Sequence, residues 1–170
     1  MTGLDRYTQV TQKSTAPSSL ARAWAAYPVH PPLTHFAIGA YATASLLAVV
    51  GAAGVSESNM AKGWWLSLLV GLIGSIPTAA SGLVEFVTLR RDHPARPAVI
   101  IHLVLALLTY PWFIAAILLG HAAYVRGSVP AGPLVLTLTG FAMLTLAGIA
   151  GGRLVFSHGM RVKRSADQGL

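Results

Sequence analysis

The chain has 170 residues, of which 54% are hydrophobic and only 10% charged, against about a quarter charged in an ordinary soluble domain. So few polar side chains cannot clothe a water-soluble core of this size, and the composition excludes a soluble globule in favour of one membrane-embedded domain. Cysteine is absent, which removes disulfides, iron–sulfur ligation, thiol catalysis and thiolate zinc sites, and leaves metal chemistry to His, carboxylate and Met. The formal net charge of +7 lies between apolar runs. It therefore points to anionic lipid at a membrane surface and not to nucleic acid.

In chain order, residues 1–29 form a polar segment with no apolar signal-peptide core. Within it Leu20, Ala23, Trp24 and Tyr27 recur at helical spacing and predict a short interfacial helix over 18–28. A membrane domain follows over 30–162, with four runs near 33–54, 64–88, 97–123 and 133–156. Each is long enough to cross about 30 Å of hydrocarbon as a helix. Short connectors join them: Ser56 to Lys62, Arg90 to Arg96, and the Gly127–Pro130 turn. A basic tail, 163–170, closes the chain. The fold class is all-α, an antiparallel four-helix bundle, since lipid tolerates only structures that satisfy their own backbone.

Ten of the twelve Lys and Arg flank one side: Arg6, Lys13 and Arg22; Arg90, Arg91 and Arg96; Arg153, Arg161, Lys163 and Arg164. Only Lys62 and Arg126 flank the other. The positive-inside rule then puts both termini in the cytoplasm, of a bacterial inner membrane. Trp64, Trp65 and Tyr124 are expected to anchor the opposite interface.

Span two carries Gly71, Gly74, Thr78, Ser81, Gly82 and Glu85 along one face, a small and polar stripe that should face protein. Span four carries Gly140, Leu144, Gly148, Gly151 and Gly152, where Gly148 and Gly152 form a small-xxx-small pair. Pro77 and Pro111 are expected to kink spans two and three.

Ionisable side chains in lipid are costly, so each is a functional candidate. His30 and His35 open span one, Glu85 lies near the end of span two, His102 sits early in span three, and Arg153 and His158 close span four. All should share one cytoplasmic-side layer. Two imidazoles on facing helices can ligate a haem iron, and His35 with His102 is the expected axial pair of a haem b. His35, Glu85, His102 and His158 could alternatively hold zinc or iron, with His30 and Arg153 in support. A cofactor-free proton relay through the same groups would suit a proton-coupled carrier. No phosphate loop, nucleophile elbow or hydrolytic triad is present. The leading expectation is thus a redox or cofactor-binding subunit without turnover of its own. The alternative is an assembly or scaffold subunit with structural histidines. Its partners would be the bilayer, a membrane or redox protein, and further copies of itself.

Three islands carry a family resemblance: HPPLTHF (His30–Phe36), Gly82–Leu83–Val84–Glu85 with the downstream His102, and GGRLVFSHGMRV (Gly151–Val162). They resemble a family of small bacterial four-span membrane proteins of unknown function. The chain departs from that pattern at Ala37, where Pro is frequent, at Glu85, where Asp is usual, and at Ala106, where Asn commonly follows the His. Some relatives are joined to Rieske-type domains, so the resemblance implies the four-span fold and points towards electron transfer.

Overall fold

The computed structural model describes residues 29–160; the expected interfacial helix over 18–28 and the tail over 163–170 lie outside them. Five helices make four spans: α1 (His30–Ala52), α2 (Glu57–Thr88), α3 (Arg96–Leu107) and α4 (Tyr110–Arg126), which together form the third span, and α5 (Ala131–Phe156). No strand occurs among the described residues. All four spans are long and apolar enough to cross a bilayer. The end bearing the α2–α3 connector is called proximal here, and the end bearing the other two connectors distal.

The helix boundaries follow from proline and glycine. Pro31 and Pro32 occupy the first turn of α1, where a missing N–H costs nothing, so the helix begins at His30, three residues before the expected start. α2 begins at Glu57, about two turns before Trp64, and runs unbroken through Pro77 to 32 residues, or ~48 Å. Span three does break. Leu108 and Thr109 form a turn in which Thr109 donates both its N–H and its hydroxyl to Ala106 O, at 3.2 and 2.7 Å, and α4 restarts with Pro111 in its first turn. At the distal end Gly127, at φ +74°, stops α4; a Cβ there would fall 2.7 Å from Ser58 Oγ, so the connector after α4 touches the first turn of α2.

Helix association in lipid rests on close packing, because lipid tails are as apolar as the side chains. The stripe on α2 supplies it: Gly71 receives the ring of Tyr41, Gly74 that of Phe36, and Gly82 that of His30. α1 and α2 therefore form the closest helix pair. On α5, Gly140 receives Phe113 and Gly151 receives His102, whereas Gly148 and Gly152 have nothing within 4 Å. The small-xxx-small pair expected to pack inside the bundle thus lies open. Gly148 borders a shallow apolar groove of about 340 Å³ between α1 and α5, lined also by Ile38, Phe141 and Leu144.

The dry core occupies the distal half. Tyr41, Ala44, Ala48, Trp64, Leu68, Phe113, Ala116, Ile117 and Ala123 form one buried cluster, drawn from α1, α2 and α4 and not from α3. Trp64 is completely buried, and its indole N–H donates to Thr137 Oγ1 at 3.0 Å. This corrects the expectation of an interfacial anchor. The bulky ring fits because Gly120 leaves room against it, and its one polar atom is satisfied across the bundle. Trp65 does lie beside Tyr124, with ring centroids 4.8 Å apart, and His121 joins them 5.4 Å from Trp65.

Candidate functional site

The proximal half is built differently. α3 packs chiefly along α5 and stands off α1 and α2. Among the described residues, three of the five buried polar side chains, Ser75, Ser81 and Thr109, lie in this half.

His30 of α1 and His102 of α3 meet there, with ring centroids 6.3 Å apart and planes at 85°. Each ring is fixed by a helix other than its own. His30 Nδ1 lies 3.0 Å from the Thr78 carbonyl oxygen and 3.0 Å from Ser81 Oγ. Ser81 itself donates its hydroxyl hydrogen to Thr78 O at 2.8 Å. His102 Nδ1 lies 2.9 Å from Ala147 O on α5. A carbonyl oxygen only accepts, so in both bonds Nδ1 carries the hydrogen, and in the neutral form of either ring Nε2 is the nitrogen that keeps the lone pair. The two glycines complete the seats, since a Cβ at Gly82 would approach His30 Cε1 to 2.8 Å and one at Gly151 would approach His102 Cε1 to 3.0 Å. All four spans converge on this pair.

The other residues of the expected layer are dispersed. His35 is exposed on α1, about 140° around the helix from His30 at 100° per residue, so the structure brings His102 together with His30 and not with His35. The inward face of α1 runs through His30, Thr34, Ala37, Tyr41, Ala44 and Ala48, in steps of three and four. His158 is exposed and turns back onto its own helix, with Nδ1 3.2 Å from Arg153 O, and Arg153 is exposed as well. Glu85 is half-buried, one turn beyond Ser81. Among the described residues no group of three His, Asp or Glu comes together in an arrangement that could hold a metal ion. The four-residue set His35, Glu85, His102 and His158 is thus not assembled, because α1 and α5 turn His35 and His158 outward.

One helical turn deeper a second polar node adjoins the first. Tyr110 Oη donates to Ser75 O at 2.9 Å, and the buried Tyr41 hydroxyl lies beside the Ser75 side chain. Below it the Tyr41 and Phe113 rings stack, with centroids 3.7 Å apart and planes within 7°.

The proximal connector is held by local contacts. Arg96 donates to Leu89 O at 3.0 Å and lies over the Phe86 ring. Arg90 and Asp92 form an exposed bidentate pair, and the guanidinium holds the Asp92 carboxyl below its usual pKa.

Sequence reasoning singled out His102 and the polar face of α2 and paired His102 with His35, whereas the structure sets His30 beside it. The signal was present: His30 and Tyr41 are eleven residues apart, three full turns of one helix face, and His35 lies off that face. The Tyr41–Ser75–Tyr110 node had no sequence signal beyond the aromatic residues themselves.

Neither the curated proteins nor the solved structures compared with this chain give a match. A family model described as a predicted membrane protein (DUF2231) matches residues 26–164, and the chain, with its four helices long and apolar enough to cross a membrane, belongs to that family.

Proposed function

We propose that the His30–His102 pair holds a metal centre, a haem b, and that the protein is an electron-carrying membrane subunit with no substrate turnover of its own. One observation carries this reading: two imidazoles from different spans, each fixed through Nδ1 by a backbone carbonyl, stand 6.3 Å apart with Nε2 left for a ligand. Metal-bound histidines commonly have their other ring nitrogen fixed in this way.

The donor set favours haem over a bare ion. Zinc normally takes three or four protein ligands, and two imidazoles with no third ligand close by among the described residues fall short of that. Haem iron already has four ring nitrogens and asks the protein for one or two axial ligands. Bound there, haem supplies one-electron exchange; the chain's own residues set the tautomer and orientation of both imidazoles.

The test is an absorption spectrum of the protein purified in mild detergent from cells supplied with haem, oxidised and then reduced with dithionite. The expected result is a Soret band and a sharp reduced α band, lost in His30→Ala and His102→Ala and retained in His35→Ala. A colourless, metal-free protein overturns the reading. That outcome favours the second one, a scaffold subunit in which the two histidines staple four helices together and the open Gly148–Gly152 face of α5 receives a partner helix.

A further inference from the structure

The polar side chains of the bundle core are unevenly distributed along its axis. From the proximal end, the inward face of α2 presents Glu85, Ser81, Thr78 and Ser75 in steps of three and four, a file of polar side chains whose three hydroxyls each donate to a carbonyl of their own helix and keep lone pairs that can accept from water. His30 and His102 join it at the level of Thr78 and Ser81, and the Tyr110 and Tyr41 hydroxyls end it at Ser75. Then the character changes. The stacked Tyr41 and Phe113 rings, Leu68, Ala44, Ala116 and Ile117 fill the section with buried carbon. In the distal half, Trp64 Nε1 and Thr137 Oγ1 bond to each other, and the Thr137 hydroxyl donates onward to Pro133 O at 2.8 Å.

We infer that the bundle is a one-sided half-channel, in which water and protons reach the His30–His102 pair only from the proximal membrane face and the Tyr41–Phe113 stack closes the way to the distal face. Proton exchange at the pair is then coupled to one aqueous phase. The titratable groups around it fit that division. Glu85 on α2 stands at the mouth; Arg96 at the start of α3 is engaged with Leu89 O and the Phe86 ring; Arg153 on α5 is exposed. Tyr41 from α1 and Tyr110 from α4 lie at the closed end, and His35 faces away. The inference stands with or without a bound cofactor, because it concerns access along the protein.

The natural absence of cysteine allows a direct test. Single variants Ser81→Cys, Thr78→Cys and Leu68→Cys, each checked for a monodisperse profile in detergent, are prepared in membrane vesicles of both orientations. Each is exposed briefly to silver ion, and the remaining thiol is counted after denaturation. An Arg91→Cys reporter, labelled with an impermeant maleimide, marks the proximal face. Ser81→Cys and Thr78→Cys should lose at least tenfold more thiol when the proximal face is exposed than when the distal face is, and Leu68→Cys should keep its thiol in both. Equal reaction of Ser81→Cys and Thr78→Cys from the two faces, reaction from the distal face alone, reaction from neither, or silver reaching Leu68→Cys overturns the inference.

Discussion

The ring of His102 rests against Gly151 so closely that a Cβ at 151 would come within 3.0 Å of Cε1, while Ala147, one turn earlier on α5, accepts the hydrogen bond from Nδ1. One helix face thus sets both the position and the tautomer of the imidazole. His30 is held in the same manner by Gly82, Thr78 and Ser81 of α2. Since each histidine stands on one helix and is fixed by another, the pair ties together the proximal half, beyond the reach of the large aromatic cluster.

A methyl group at either seat should therefore be costly. In Gly82→Ala the new Cβ meets His30 Cε1 at 2.8 Å, and in Gly151→Ala it meets His102 Cε1 at 3.0 Å. Moving either ring stretches its bond to the carbonyl, and leaving a buried polar group unpaired costs about 1–3 kcal/mol. Gly148→Ala meets nothing and gains about 0.5–1 kcal/mol of helix propensity. Thermal unfolding in detergent should lower the midpoint for Gly82→Ala and Gly151→Ala and leave Gly148→Ala unchanged or higher. A uniform response of all three would show that the seats do not matter.

The distal core makes a separate prediction about Trp64. Thr137→Val keeps the volume but removes the acceptor of the buried indole N–H, an expected loss of about 1–3 kcal/mol. Trp64→Phe removes the donor instead. Thr137 Oγ1 keeps its bond to Pro133 O, so no buried hydrogen is stranded, and the loss comes from the space left beside Gly120. Trp64→Ala should be the worst of the three, at about 3–5 kcal/mol, since it empties the centre of the cluster. Chemical unfolding in mixed micelles ranks them. A Trp64→Ala protein as stable as Thr137→Val would contradict the packing described.

The exposed pair of Arg90 and Asp92 should contribute little. Its side chains are 80% and 68% exposed, where screening and side-chain entropy cancel most of the attraction. The Asp92 pKa is lowered in the folded chain, first of all by the bond from Arg90. Its contribution is therefore present above the unfolded carboxylate pKa of about 3.9 and is lost as pH falls through the lower folded value. Asp92→Asn should leave the melting temperature at pH 7 within measurement error, and a clear drop would show that the connector is tied down more strongly than its exposure implies.

Much of the fold was legible because its signals are local. Apolar run length fixed the number of spans, and the three- and four-residue steps of small residues on α2 correctly marked the face that meets α1. Two of the failures were non-local. The tandem Trp64–Trp65 has an interfacial look, yet Trp64 is buried because Gly120 on another span makes room for it. Gly148 and Gly152 share the spacing of a packing motif but face away from the bundle, while Gly151 between them does the packing. Position 35 was preferred to position 30 because it lies deeper in the apolar run. Two prolines let the helix start earlier, and helical phase, not depth, decides which ring turns inward.

The distribution of cations gives the last prediction, the orientation of the site. The proximal connector carries Arg90, Arg91 and Arg96, and the distal connectors offer only Lys62 and Arg126 at their edges. Cationic loops are retained on the cytoplasmic side, so the His30–His102 pair should open to the cytoplasm. Single Lys62→Cys and Arg91→Cys variants in intact cells, treated with an impermeant maleimide, should label only at 62, and inverted vesicles should label only at 91. Labelling of both positions from the same face would contradict the four-span path. The reverse assignment would keep that path and place the histidine pair, with its polar file, at the outer surface.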